Sequence, residues 1–312
     1  MTKVTKVPPR GVYAPCLTFF NGDESIDFLS MRHHALRLAA AGITGLVIHG
    51  SNGEAPHLNT TERSQVIKEI KSALTEKGFA ALPIIAGTGA ASAIETVALC
   101  RLAAAAGADF ALVLPPSYWP GAMTKPVLSA FFVNVADASP IPIMAYNFPM
   151  VASGIDLDSD LLIDLSKHLN IVGCKLTCGN LGKLHRIAKA VPGDKFAVLG
   201  GKSEFMLHAL VGGSSGTIGA LVNYTPAIHV ELFRRYVNGD LAGAKELQDI
   251  ISDADWEMTK TGVSGLKAAV SATWQYGSNS VRSPLKPVSF STGEKFEKIV
   301  AVENKFRSDS LS

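Results

Sequence analysis

The chain has 312 residues, 47% of them hydrophobic, enough to bury a large core as one α/β domain or as two smaller ones. Its 29 basic and 27 acidic residues leave a formal charge of +2 and are spread along the chain, which excludes a basic tract for nucleic acid or an anionic membrane surface. No apolar run reaches transmembrane length, and Met1–Arg10 lacks the apolar core of a signal peptide; together with four dispersed, unpaired cysteines this leads us to expect a cytoplasmic protein.

In chain order, short β-branched runs predict strands over Gly11–Phe20, Gly45–Ser51, Leu82–Gly89, Phe110–Pro116, Ile141–Phe148, Ile171–Thr177, Lys195–Gly201 and Gly216–Val222. Between them, apolar residues at helical spacing predict Ser30–Ala41, Thr61–Glu76, Ala93–Ala106, Lys125–Asp137, Asp158–His168, Leu181–Ala190 and Ser203–Val211, often behind Ser, Thr or Asp at the N-cap. Leu46-Val-Ile48 and Ala111-Leu-Val-Leu114 are apolar without alternation, as expected of parallel strands covered on both faces. Eight β-then-α units without a linker, carrying polar residues at the C-terminal ends of several strands, favour a closed (β/α)8 TIM barrel over an open sheet with one switch point. The remainder reads as helices, Pro226–Tyr236, Leu241–Met258, Ser264–Trp274 and Lys295–Phe306, with a Ser- and Pro-rich loop over Tyr276–Thr292. The expected organisation is therefore a barrel core in residues 1–224 and the last barrel helix plus a C-terminal helical extension in residues 225–312, as one structural domain.

Lys175 lies inside Ile171-Val-Gly-Cys-Lys-Leu-Thr177, an otherwise buried strand. An ammonium ion is costly to bury, and a neutral amine in an apolar pocket is a nucleophile toward ketones. Schiff-base chemistry is the reading this position invites. Three further strand ends converge on it: Gly50-Ser51-Asn52-Gly53-Glu54, Pro115-Pro116-Ser117-Tyr118, and Ala145-Tyr146-Asn147-Phe148-Pro149. Alone, each is a turn or an anchored aromatic; together they supply one amine, phenols, hydroxyls and backbone N–H groups.

On these residues the chain resembles the dihydrodipicolinate synthase / N-acetylneuraminate lyase family of class I, pyruvate-dependent aldolases. The resemblance runs from about Val12 to Leu285 and rests on Gly50-Ser-Asn-Gly-Glu54, Tyr146-Asn-Phe-Pro149 and Gly173-Cys-Lys175, in order on the expected strands, with Gly277…Arg282-Ser-Pro284-Leu285 also family-like. It implies that Lys175 forms an imine with a 2-keto acid, that Tyr146 shuttles protons, and that Ser51 relays protons to it. Ser51, Asn52 and Gly53 would hold the substrate carboxylate, and Thr177, Gly200 and Ile218 would line the pocket. Tyr118 would cross a subunit interface into the neighbour's site, giving a homodimer or a homotetramer built as a dimer of dimers. Glu54 would brace its own loop. No metal or other cofactor is implied, and the partner is a small 2-keto acid, with neither nucleic acid nor membrane.

Within the family, the position two residues after the proline of Tyr-Asn-x-Pro carries a carboxylate-gripping arginine in dihydrodipicolinate synthases; here it is Val151, which excludes that role. The loop Gly50–Leu58 is similar to 4-hydroxy-2-oxoglutarate aldolases, and Gly173–Gly179 to fungal aldolases of 2-keto-3-deoxy sugar acids such as L-threo-3-deoxy-hexulosonate. The expectation is the sugar-acid aldolase, releasing pyruvate and a short hydroxyaldehyde, with Ser153, Thr177 and His57 as partners for its hydroxyls. The 4-hydroxy-2-oxoglutarate aldolase is the alternative and needs a cation, for which Lys202 and Arg282 are the candidates. A dehydratase of the family and a catalytically silent metabolite-binding member are the remaining rivals. Gly201-Lys-Ser203 lacks the earlier glycine of a phosphate loop, Phe196 standing there, and the eight histidines show no metal spacing.

Overall fold

The computed structural model describes residues 6–291 and 293–307; residues 1–5 of the N-terminal stretch and Thr292 of the late loop lie outside them. Eight parallel strands pair in sequence order and close on themselves, β1 hydrogen-bonding to both β2 and β8. They are β1 (Gly11–Pro15), β2 (Gly45–Ile48), β3 (Ile84–Gly87), β4 (Phe110–Val113), β5 (Ile143–Asn147), β6 (Ile171–Leu176), β7 (Ala197–Gly200) and β8 (Gly216–Ile218). Every strand residue but Gly87 is buried, because side chains pointing inward fill the barrel and those pointing outward meet the helices. Inside, Tyr13, Val47, Ile85, Phe110, Leu199 and Ile218 pack into one apolar cluster with Tyr146.

The helices alternate with the strands as α1 (Phe28–Ala40), α2 (Thr60–Glu76), α3 (Ala93–Ala106), α4 (Lys125–Ala138), α5 (Ser159–Leu165), α6 (Leu181–Ala190), α7 (Met206–Val211) and α8 (Pro226–Val237). Asp27, Ser92 and Asp158 accept backbone N–H bonds as N-caps of α1, α3 and α5, the signal that placed those helices in the sequence. Strand ends are shorter than expected. The apolar run Cys16–Phe20 is buried but leaves the sheet after Pro15, and Ala220–Asn223 turns into a 3₁₀ segment rather than extending β8. Apolarity reports burial there, not pairing.

After the barrel come α9 (Leu241–Trp274) and α10 (Glu294–Phe306). Gly262 interrupts α9 with φ 62° and ψ −153°, so the two helices expected on either side of it are present, joined through a residue whose conformation favours glycine. The extension is tied to the barrel by Glu303, whose carboxylate accepts the N–H groups of Ala227 (3.0 Å) and Ile228 (2.9 Å) at the start of α8. Burial raises the Glu303 carboxyl to about 7.

Candidate active site

Lys175 and Tyr146 stand directly across from each other on β6 and β5. Lys175 is 3% exposed, and its Nζ lies over the Tyr146 ring, 4.4 Å from the centroid. No carboxylate pairs with this amine and no hydrogen bond engages it among the described residues; it rests on the phenol's π face. Local geometry makes room for the pair. The β5–β6 register shifts between Ile143 and Met144, beside Gly173, where a Cβ would fall 2.5 Å from the Ala197 carbonyl. Asn147, fully buried, donates to Asp156 (2.7 Å) and accepts from the Leu157 N–H (2.9 Å), fastening the loop after β5 behind Tyr146.

The loop after β2 is held in an unusual shape. His49 and Glu54 both adopt left-handed backbone (φ 61° and 50°) on either side of Gly50-Ser-Asn-Gly53. For residues other than glycine this costs about 1–3 kcal/mol each and persists only where surroundings enforce it. Gly87 on β3 is one such enforcement, since a Cβ there would sit 1.9 Å from the His49 carbonyl oxygen. Glu54 is the other. One carboxylate oxygen lies 2.5 Å from Lys267 of α9; the second accepts from His57 Nδ1 (3.0 Å) and the Arg282 N–H (3.1 Å). Burial pushes the Lys267 ammonium below its usual range while Glu54 pulls the other way. Glu54 thus braces its loop, as expected, but against the C-terminal extension.

A cavity of about 420 Å³ opens beside this loop, lined by His49, Ser51, His57, Arg63, Tyr146, Val151 and Leu285 among others. That size suits a small organic acid. Of the expected site residues, Ser51 and Tyr146 reach its wall; no hydrogen bond joins their hydroxyls. Asn52 and Gly53 lie in the same 3₁₀ turn as Ser51, and Gly53 packs against the Cys16 carbonyl. Thr177, just past β6 and 3.5 Å from the Gly201 carbonyl, and Gly200 and Ile218, which end β7 and β8, are not part of this wall. Ser153 opens onto the neighbouring surface groove with Tyr118 instead of this cavity. Tyr118 and Trp119 are 76% and 65% exposed, edge to face at 4.9 Å.

Neither cation suggested for a second carboxylate is available. Lys202 pairs with Glu204 (2.8 Å), and Arg282 with Glu62 (2.5 Å), which also closes the capping box of α2 with Asn59. Two residues that the sequence did not single out line the cavity in their place. Arg63 donates to the Ala55 (2.6 Å), Gly87 (3.2 Å) and Leu58 (3.4 Å) carbonyls, and burial lowers its guanidinium. His49, 3% exposed, has no partner for its Nε2. Burial, with Arg63 adding repulsion, holds its imidazole neutral, at about 3. Arg63 resembles any first-turn surface arginine in sequence; His49 had one readable signal, its place directly before Gly50-Ser-Asn-Gly.

A closed parallel barrel with a buried lysine and a tyrosine facing each other across two adjacent strands is an architecture suited to imine chemistry. Residues 8–303 match the model of the dihydrodipicolinate synthetase family, and the chain belongs to that family. It is 46% identical to the L-threo-3-deoxy-hexylosonate aldolase of Hypocrea jecorina, over 89% of this chain and 90% of that one. It is 41% identical to the protein named "Probable 4-hydroxy-2-oxoglutarate aldolase, mitochondrial" of Emericella nidulans, over 96% and 97%. Among solved structures, a prophage protein of the dihydrodipicolinic acid synthase family from E. coli K12, in complex with pyruvate, superposes with a TM-score of 0.83 at 27% identity, covering 95% and 98%. Family, barrel and aldolase class therefore stand as expected from the sequence. The cytoplasmic expectation does not: the Emericella relative is named as mitochondrial, and the lack of an apolar signal core in Met1–Arg10 does not bear on import into that organelle. No helix among the described residues is long and apolar enough to cross a membrane.

Proposed function

We propose that the protein is a Schiff-base aldolase that cleaves a 2-keto-3-deoxy sugar acid, such as L-threo-3-deoxy-hexulosonate, to pyruvate and a short hydroxyaldehyde. The observation that carries this is Lys175, buried on β6 against Tyr146 with no counter-charge. Its amine adds to the C2 ketone and water leaves, giving an iminium. The C4 hydroxyl then gives up its proton toward Tyr146, the C3–C4 bond breaks, and its electron pair passes through C3 to the iminium nitrogen as an enamine. The aldehyde departs, C3 takes a proton, and water returns to release pyruvate and free Lys175. The nitrogen supplies the positive charge that a metal supplies in other aldolases, so the reaction calls for no metal ion. Ser51 and Asn52, with the backbone N–H groups of their turn, hold the pyruvyl carboxylate. Tyr118 and Trp119, exposed at the barrel mouth, face a second subunit in a dimer or a dimer of dimers.

The sugar acid is favoured because Val151 lines the cavity and both Lys202 and Arg282 are occupied by carboxylates. Arg63 supports a second reading, 4-hydroxy-2-oxoglutarate, since a guanidinium that donates to three carbonyls retains donors for a second carboxylate. A lactate-dehydrogenase-coupled assay of pyruvate release from both compounds decides between them. Preference for the sugar acid in kcat/KM is expected; a tenfold preference for 4-hydroxy-2-oxoglutarate, about 1.4 kcal/mol, would reverse the assignment.

A further inference from the structure

The run Cys16–Phe20 leaves the sheet after β1 and lies buried against the loop after β2. It is pinned at several points. The Cys16 N–H donates to the Val47 carbonyl (2.9 Å), and the Phe19 and Phe20 carbonyls accept from the Asp27 N–H (3.0 Å) and the Ser278 hydroxyl (2.8 Å). Among its side chains, Cys-Leu-Thr-Phe-Phe, Thr18 holds the one hydroxyl, and it is 1% exposed. A hydroxyl enclosed among apolar groups costs free energy unless it is paired, and a valine would fill the same space without that cost. Its one partner among the described residues is the carbonyl of Gly53, to which it donates at 2.7 Å.

That bond falls on a peptide plane with a reason to turn. Between Gly53 and Glu54, the carbonyl is held by Thr18 and the N–H by the Ser51 carbonyl, at 3.2 Å. Glu54 sits at φ 50°, left-handed backbone that a glutamate enters only at a cost. Rotating the plane by half a turn would carry that φ into the relaxed extended region. It would also set the Gly53 carbonyl oxygen against the Ser51 carbonyl oxygen in place of the present N–H, and the turn would open. Thr18 opposes the rotation from the carbonyl side, out of a segment that is itself pinned. In the closed turn, the N–H groups of Ser51 and Asn52 make no hydrogen bond among the described residues and are left as donors.

We propose that Thr18 is a positioning residue for the carboxylate of the bound keto acid. By fixing the Gly53 carbonyl, its hydroxyl keeps the turn Ser51–Gly53 closed, so that the turn offers N–H groups to the anion and no carbonyl oxygen swings toward it. A carboxylate only accepts hydrogen bonds, so a single reversed peptide would replace attraction by repulsion. Thr18 acts through Gly53 and takes no part in the bond changes at Lys175. This inference rests on the aldolase reading above.

Borohydride trapping at Lys175, titrated with pyruvate and with methyl pyruvate, separates the carboxylate from the ketone. The two compounds share the reacting ketone, and only pyruvate carries the anion. Thr18→Val should raise the half-saturating concentration of pyruvate about tenfold and that of methyl pyruvate less than about threefold. In cleavage assays the same loss should fall on KM, with kcat changed less than about threefold. Thr18→Ser keeps the hydroxyl and loses the methyl, so it should lower the unfolding midpoint while pyruvate binds nearly as in the parent. If Thr18→Val does not fold, Thr18→Ala takes its place, since it differs from Thr18→Ser by the hydroxyl alone. Equal shifts for both ketones, no shift for either, or a Ser variant as weak as the Val variant would overturn the proposal. An unaltered enzyme that forms no adduct at Lys175 would refute the aldolase reading, and this one with it; an adduct beside unchanged pyruvate affinity in Thr18→Val would refute this one alone.

Discussion

Substituting Lys267 by Met severs a buried charge pair that links the substrate loop to the C-terminal helices. Lys267 is fully buried and Glu54 2% exposed, at 2.5 Å, with the Lys267 Nζ also donating to the Ser280 carbonyl (2.7 Å) and lying 4.3 Å from the Phe20 ring centroid. Removing one member of a buried pair costs roughly 3–5 kcal/mol, because the other charge is left in a low-dielectric site. Lys267→Met should fall near the lower bound, since Glu54 keeps the His57 and Arg282 donors. Glu54→Gln should fall nearer the upper one, leaving an ammonium among a carbonyl and an aromatic face. The double variant should cost less than the two together by about 1–3 kcal/mol, the signature of direct coupling. Urea unfolding with constant m-values measures all three. If Lys267→Met lies within about 1 kcal/mol of the parent, or the two changes simply add, the pair does not organise the loop.

Tyr146→Phe should lower kcat by about 10²–10⁴-fold if the phenol carries the proton of the C4 hydroxyl; a change below about tenfold would assign that transfer to water or Ser51. Tyr118→Ala should weaken subunit association and activity together, and sedimentation showing a fully active monomer before substitution would remove the shared-site account. Glu303 gives a pH signature. Its folded value is raised from the ordinary 4.5 to about 7, so the folded state keeps a proton that the unfolded chain has released, and stability declines as the pH rises through that window. The decline is on the order of 3 kcal/mol at 1.36 kcal/mol per pH unit. Glu303→Gln should lack it, so unfolding midpoints of parent and variant that run parallel from pH 5 to pH 8 would contradict the burial argument.

The barrel was legible because eight apolar runs between amphipathic stretches leave few alternatives, and α3 and α6 fall where their spacing placed them. Strand ends were not, since Cys16–Phe20 is as apolar as a strand while packing under the C-terminal helices. Lys175 could be read because a lysine in a β-branched run contradicts its surroundings. Tyr146 could be read because its register with Lys175 follows from two adjacent strands. His49 and Arg63 escaped for a physical reason: their significance lies in the carboxylates that do not engage them, and pairing is decided by residues such as Glu54, Glu62 and Glu204, 2 to 220 positions away from the groups they engage. Lys202 and Arg282 looked available for the same reason and are not.

The central claim is the imine at Lys175. Incubation with pyruvate and borohydride, followed by peptide mass analysis, should add one reduced pyruvyl group to the peptide that carries Lys175, and Lys175→Ala should abolish both the adduct and pyruvate release. An unmodified Lys175 under those conditions, or an adduct on another lysine with activity retained in Lys175→Ala, would contradict it.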